Sequence, residues 1–311
     1  MKVLGISFGK KMGNTDILVK EALMGAQQAG AEVTFVNTVD LKIDRCIGCA
    51  ACTRAFRQGK RGDCILKDDF DALEELMCDA DAIIVGAPVY VLQPVGQFKN
   101  LVDRFAVRHD RAKFIDTPAV DPRWVKQRYI SYISVGGATT RNWTSMGLLS
   151  MHLLGFSSLM HVVGEMDVYK MGITVSPVRD EELLATANKL GTRTAQAIGK
   201  EPETVEWFGD AGLCPVCHQR VMTITEDCTA ECVLCGASGK MEIQDGKLKI
   251  NFTKESMEHA RGTLQGQKDH VDEIGGFVRY QMSLPEEEKQ KTEKRKQKYR
   301  DFCPEYKIKK S

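Results

Sequence analysis

Asp81-Ala82-Ile83-Ile84-Val85-Gly86-Ala87-Pro88-Val89-Tyr90 decides the fold of this chain. Its first six residues, DAIIVG, form a short apolar run with no polar alternation. Such a run reads as a strand buried on both faces, which is how parallel strands lie between two layers of helix. On one side of it, Asp69–Asp79 is helical by the spacing of Phe70, Leu73, Leu76 and Met77. On the other, Pro94–Phe105 is the next helix. Further upstream, Lys2–Phe8 reads as the first strand. Thr15–Ala29 follows as a helix with Ile17, Leu18, Ala22 and Met24 on one face and a stop at Gly30, and Glu32–Val36 is the second strand. Downstream come strand four (Tyr129–Val135), a helix (Ser145–Leu154), strand five (Met160–Glu165) and a helix (Asp180–Ile198). Five strands alternating with helices predict an α/β fold with a doubly wound, five-stranded parallel sheet. Crossovers should be right-handed, and ligands should gather at the C-terminal ends of the strands.

The pattern changes after Gly199. Residues 201–212 read as a linker whose Trp207 and Phe208 pack on a neighbouring domain. Residues 213–252 are short, cysteine-rich and strand-like, with a hairpin expected at Asp245-Gly246. Residues 253–311 form a charged helical tail with pairs such as Glu287–Lys291. The expected organisation is thus a domain over 1–200, the linker, a metal knuckle over 213–252, and the tail. The 311 residues carry 43 Lys and Arg against 42 Asp and Glu, so no broad basic field favours nucleic acid. No apolar run reaches the ~18 residues of a membrane span. MKVLGISF begins as a strand rather than a signal peptide, so the expected location is the cytoplasm, where thiols stay reduced.

The first strand runs into Ser7-Phe8-Gly9-Lys10-Lys11-Met12-Gly13-Asn14-Thr15 and then a helix. Free N–H groups and the positive dipole end at a helix start attract phosphate, and glycines let the backbone turn around it. Ser7, Lys10, Asn14 and Thr15 add side-chain donors. The loop is neither a Walker A motif nor G-x-G-x-x-G, and taken alone it reads equally as an ordinary capped turn. Two more strand ends carry loops of this kind. Pro88-Val89-Tyr90 leads into Gly96-Gln97-Phe98-Lys99 and Asp103-Arg104, and strand four ends in Gly136-Gly137. This trio resembles the flavodoxin-like flavin reductases, in particular the NADPH-dependent FMN reductases and iron–sulfur flavoproteins. The resemblance covers about residues 1–200. It implies FMN, with Ser7, Gly13, Asn14 and Thr15 at the phosphate, Pro88, Val89 and Tyr90 lining the ring, and Gly136 and Gly137 opposite. It also implies a homodimer or homotetramer. Trp143 would either cover the ring or act as a buried anchor.

The eleven cysteines fall mostly into two groups. Cytosolic groups of this kind mean metal or redox chemistry rather than disulfides. Cys46-x2-Cys49-x2-Cys52-x11-Cys64 offers four thiolates, enough for a [4Fe–4S] cube, a structural zinc or a set of redox thiols. Iron–sulfur flavoproteins carry a C-x2-C-x2-C-x(n)-C motif at this place, though with a shorter last gap, which implies the cluster. Cys214-x2-Cys217 and Cys232-x2-Cys235 are two knuckles at the spacing of zinc ribbons and rubredoxins. The segment lacks a rubredoxin's aromatic core, which favours zinc over iron. Cys228 is a spare thiol, His218 a surface residue, and Cys78 inert packing. Arg108, His109 and Arg111 lie in an extra segment expected over the flavin face. They would bind an anionic substrate or nicotinamide phosphate there, or else face solvent or a second subunit.

Together these readings predict an FMN-dependent oxidoreductase. NAD(P)H or a ferredoxin-like protein would donate electrons, the [4Fe–4S] cluster would relay them singly, and a small molecule or protein would accept them. A non-catalytic electron carrier, or an assembly protein docking through its knuckle, is the other class these residues allow.

Overall fold

Ala82–Tyr90 forms β3, the middle strand of a parallel sheet. The computed structural model describes residues 1–303 and 305, apart from 116, 117, 120, 173 and 211. Around β3 stand β1 (Lys2–Ser7), β2 (Glu32–Asn37), β5 (Tyr129–Val135) and β6 (His161–Val168), in the order β2-β1-β3-β5-β6. The helices between them are α1 (Asn14–Gln28), α2 (Ala51–Phe56), α3 (Phe70–Asp79), α4 (Gly96–Arg108), α5 (Gly147–Phe156) and α6 (Glu181–Ala197). The five-stranded, doubly wound parallel sheet is therefore as expected.

The apolar run of β3 serves two cores. Ile83, Val85 and Ala87 join Leu4, Ile6, Phe98, Leu101 and Phe105 on one face. Ala82 and Ile84 join Leu18, Val19, Ala22 and Leu190 on the other, beneath α1 and α6. Each large side chain buried this way contributes about 1.5–3 kcal/mol. With both faces covered, alternation vanishes from the sequence.

Two departures position the functional region. β3 does not stop at Gly86: it pairs with β5 as far as Pro88↔Val135, then folds back on the short strand β4 (Gln93–Pro94). Val91 and Leu92 form the hairpin tip with φ of 50° and 71°, the twist a two-residue hairpin needs. β6 likewise runs on to Val168, past its expected end at Glu165.

After α6, Phe208 adds a further rung to the sheet. Its N–H donates to Val163 O at 2.9 Å and its carbonyl accepts from Glu165 N at 2.8 Å. Gly164 makes room for this: a Cβ there would lie 2.2 Å from Phe208 O. Strands β7 (Met222–Ile224), β8 (Thr229–Cys232), β9 (Ser238–Gln244) and β10 (Lys247–Phe252) make an antiparallel sheet in the order β10-β9-β8-β7. The Asp245-Gly246 turn closes β9 on β10, with φ of 52° and 73°.

Helices α7 (Lys254–Glu258), α8 (Leu264–Ser283) and α9 (Glu286–Asp301) follow. The chain divides into two compact units, Met1–Lys268 and Asp269–Ser311. In the second, α9 carries the Glu287–Lys291 pair at 2.9 Å. No described helix is long and apolar enough to cross a membrane.

Candidate functional site

The loop between β1 and α1 lies at the switch point, where the strand order turns from β2-β1 to β1-β3. Asp16, 1% exposed, is its internal anchor. The Asp16 carboxylate accepts from Ser7 Oγ, from Met12 N at 2.9 Å and from Asn37 Nδ2 at 2.6 Å. Ser7 is thus engaged beneath the loop, and Gly9 N donates to its oxygen at 3.2 Å. Asn14 Nδ2 donates to Met171 O at 3.1 Å. Lys10 is exposed at the rim.

Among the described residues, the backbone N–H groups of Asn14, Thr15 and Asp16 have no protein acceptor. They are the orphan donors of a helix start. A Cβ at Gly9 would meet Thr15 Cβ at 2.6 Å, so the turn is as tight as glycine permits. An anionic phosphate matches this donor set, since the one internal carboxylate is already held by three donors.

The other two strand ends stand beside it. Pro88 and Val89 are half-buried, and Tyr90 is 62% exposed at the hairpin. Gly136 is packed tightly: its N–H donates to Val168 O at 2.8 Å, its carbonyl accepts from Met171 N at 3.0 Å, and a Cβ would lie 2.2 Å from Thr144 Cγ2. Gly137 is exposed. Trp143 is 61% exposed, so it is not a buried anchor.

Sequence reasoning missed one group. Asp167 and Tyr169 stand at the C-terminal end of β6 and line a cavity of about 570 Å³ together with Arg141, Thr144 and Arg220. Tyr169 Oη donates to Asp167 Oδ2 at 2.6 Å and accepts from Arg141 Nε at 2.9 Å. Burial pushes the Asp167 carboxyl above its ordinary value, although Tyr169 and Ser134 oppose this, and burial followed by the Asp167 hydrogen bond pushes the Tyr169 phenol up. Lys170 N donates to Ala138 O at 2.8 Å, so this wall and the Gly136-Gly137 loop are tied together. The available signal was position: strand ends in parallel sheets collect ligands.

Cys46, Cys49, Cys52 and Cys64 line one small cavity of about 40 Å³ with Ile47, Ile65, Arg104 and Arg108. The left-handed residues Gly48 and Ala50, with φ of 66° and 54°, turn the chain between the first three cysteines and into α2. The cavity already contains cations. Arg104 is 3% exposed, donates to Asp68 Oδ2 at 2.5 Å, and packs its guanidinium over Phe70 at 4.1 Å. Its Nε and Nη2 are buried with no acceptor. Four thiols beside unsatisfied guanidinium donors suit an anionic, thiolate-held centre.

This placement overturns one expectation. Arg108 and His109 are neither over the flavin loops nor in solvent. They are 2% and 1% exposed, with Arg108 Nη1 2.8 Å from Glu74 Oε2 and His109 Nε2 2.8 Å from Glu74 Oε1. Glu74 is itself buried, and the cations follow it inward. Arg111 is half-buried and donates to Val125 O.

The second cysteine group is preformed. The Sγ atoms of Cys214, Cys217, Cys232 and Cys235 all lie within 4.8 Å of one another. Cys214–Cys235 and Cys217–Cys232 are 3.5 Å apart. The two knuckles repeat the same bonds. Cys214 N reaches Gln219 O as Cys232 N reaches Ala237 O, and His218 N returns to Cys214 O as Gly236 N returns to Cys232 O. His218 thus takes the left-handed place of Gly236, at φ 58° against 80°. Its ring stacks on Trp207 at 4.2 Å, so it is half-buried rather than a plain surface residue. Four sulfurs at this spacing match a tetrahedral thiolate site for zinc or iron.

Against known proteins, residues 1–156 match the family model described as NADPH-dependent FMN reductase. Flavone synthase cfoJ of Aspergillus candidus is 28% identical over 290 residues, covering 88% of each chain. An iron–sulfur flavoprotein of Methanosarcina thermophila is 31% identical over 187 residues, which cover 58% of this chain and 86% of that one. Among solved structures, a flavone reductase superposes with a TM-score of 0.81 at 31% identity, covering 99% of this chain and all of that one.

Proposed function

Because the chain belongs to the NADPH-dependent FMN reductase family, we propose that it is a cytoplasmic, FMN-dependent oxidoreductase. In this reading Cys46, Cys49, Cys52 and Cys64 would hold a [4Fe–4S] cluster, which would supply one-electron chemistry. NAD(P)H or a ferredoxin-like protein is the donor, zinc holds the Cys214, Cys217, Cys232 and Cys235 knuckle, and the chain works as a homodimer or homotetramer.

The observation that carries this reading is the set of acceptor-free N–H groups at the head of α1, a geometry that an anion completes. Asn14, Thr15 and Gly13 would hold the FMN phosphate, with Lys10 at the rim and Ser7 fixing the loop from below. Pro88, Val89 and Tyr90 would line one side of the ring, and Gly136 and Gly137 the other. When bound, FMN supplies two-electron hydride chemistry.

Proteins named for flavone synthesis and flavone reduction match nearly the whole chain. This supports a flavone-type planar enone as the acceptor. Its reduction adds a hydride to the carbon β to the carbonyl and a proton to the α-carbon. Tyr169 is our choice for the proton donor, since its hydroxyl sits between Arg141 and Asp167 in a cavity of about 570 Å³.

The test is anaerobic purification of the full chain, with absorbance, iron, sulfide and zinc measured on one sample, followed by NAD(P)H oxidation in the presence of a flavone. Bound FMN, about four irons with sulfide, and loss of the flavone chromophore are the expected results. A protein purified without flavin would end the proposal. Zinc at both cysteine groups would end the electron relay.

A further inference from the structure

Arg104 and Arg108 stand one turn apart on α4, and both line the cavity of Cys46, Cys49, Cys52 and Cys64. Arg104 spends a single nitrogen on its partners. Nη1 donates to Asp68 Oδ2 at 2.5 Å and to Asp44 O at 3.3 Å. Nε and Nη2 are sealed from solvent and reach no acceptor. Arg108 turns Nη1 and Nη2 to Asp71 and Asp63 at 3.2 Å each, leaving its own Nε buried and unpaired. A buried charged donor without an acceptor costs more than a neutral one. Structural ion pairing with Asp68 explains Nη1 and leaves the other two nitrogens unexplained. Cys64 is the neighbour that remains. Cys64 and Arg104 line the same cavity.

We propose that Arg104 is a positioning residue for the four-cysteine centre: its Nε–H and Nη2–H donate to the Cys64 sulfur and the acceptors beside it, fix Cys64 as the fourth ligand, and raise the centre's reduction potential. The inference rests on the reading of that centre as a [4Fe–4S] cluster. Reduction by one electron adds one negative charge inside a cavity of low polarity. A guanidinium that never loses its proton favours the reduced state there, and hydrogen bonds to the sulfurs act in the same direction. The long gap between Cys52 and Cys64 is thereby accommodated: the fourth ligand is placed by α4 instead of by a compact loop.

The test compares the full chain with Arg104→Lys and Arg104→Gln after anaerobic reconstitution with iron and sulfide. Iron and sulfide are counted per chain. Dithionite supplies the single electron while electron paramagnetic resonance follows the reduced cluster, and far-ultraviolet circular dichroism monitors the fold. Arg104→Gln should disfavour reduction at least tenfold, 59 mV for a one-electron couple, and Arg104→Lys should fall between it and the parent. If Arg104→Gln fails to fold, the lysine variant alone decides. A cluster whose potential is the same in parent and folded variants overturns the inference and leaves the flavoprotein reading intact. A parent chain that assembles no cluster overturns the cluster reading and this inference together.

Discussion

Asp68 and Arg104 place opposite charges where water does not reach; the two side chains are 0% and 1% exposed. Removing one partner leaves the other buried alone. Asp68→Asn should therefore cost about 3–5 kcal/mol, measured by urea unfolding at neutral pH. The pH dependence has a definite sign. Burial pushes the Asp68 carboxyl up, but Arg104 and the N–H groups of Asp44 and Phe70 bring it below its ordinary value. Its contribution is therefore present above about pH 4 and lost as pH falls through the lowered value. His109 acts in the same sense: burial holds its pKa down against Glu74, so stability fades below about pH 6.5. Asp68→Asn should flatten the acid limb of the stability curve. Tyr169 belongs to the same scale. Tyr169→Phe removes the hydroxyl between Arg141 and Asp167. It should lower turnover of an enone acceptor by a factor of about 100 or more with FMN content unchanged; full turnover would exclude Tyr169 as the acid.

Helices α1 and α6 touch backbone to backbone. A Cβ on Gly191 would lie 1.6 Å from Ala22 O, and one on Gly25 would lie 1.9 Å from Asn188 O. Gly191→Ala must push the helices apart, which should cost about 1–3 kcal/mol or more and lower the melting temperature by several degrees; an unchanged melting curve would contradict that contact. Such pairs were not legible in the sequence, because a glycine inside a helical pattern reads only as a weak point. What the sequence did state was period. The apolar run of β3 and the spacing of Phe70, Leu73 and Met77 both report burial directly, whereas Leu76, spaced with them, is exposed. β6 runs past its expected end because polar Glu165 and Asp167 hold strand positions beside His152 and Tyr169, and β3 does so because Gly86 and Pro88 ordinarily read as strand breakers. Arg108 and His109 misled for a related reason: charge ordinarily signals solvent, and only the fold reveals Glu74 waiting inside.

Within the first unit, the knuckle joins four sulfurs to a small apolar core that Leu149, Leu153 and Phe156 of α5 back from the sheet side. Its core contains Leu234, Ala230, Ala237 and Ala260 beside the cysteines. Cys232→Ser should release the metal and open residues 213–252 to protease, while the parallel sheet keeps its cooperative melt; loss of the whole fold would mean the two parts are one cooperative unit. The spacing of those cysteines was fully legible, since C-x2-C encodes a knuckle by itself. The route the chain takes into the knuckle was legible in part: Phe208 packs its ring on the sheet's core, as its apolar character implies, but its backbone pairing with β6 leaves no mark in the sequence. That join has a consequence for handling the protein. β6 is the terminal strand of an otherwise sticky β-surface, and Phe208 blunts part of its margin against stray chains. A shortened version ending at α6 would bare that margin, and its yield would be limited by clumping during expression long before any catalytic defect could be scored.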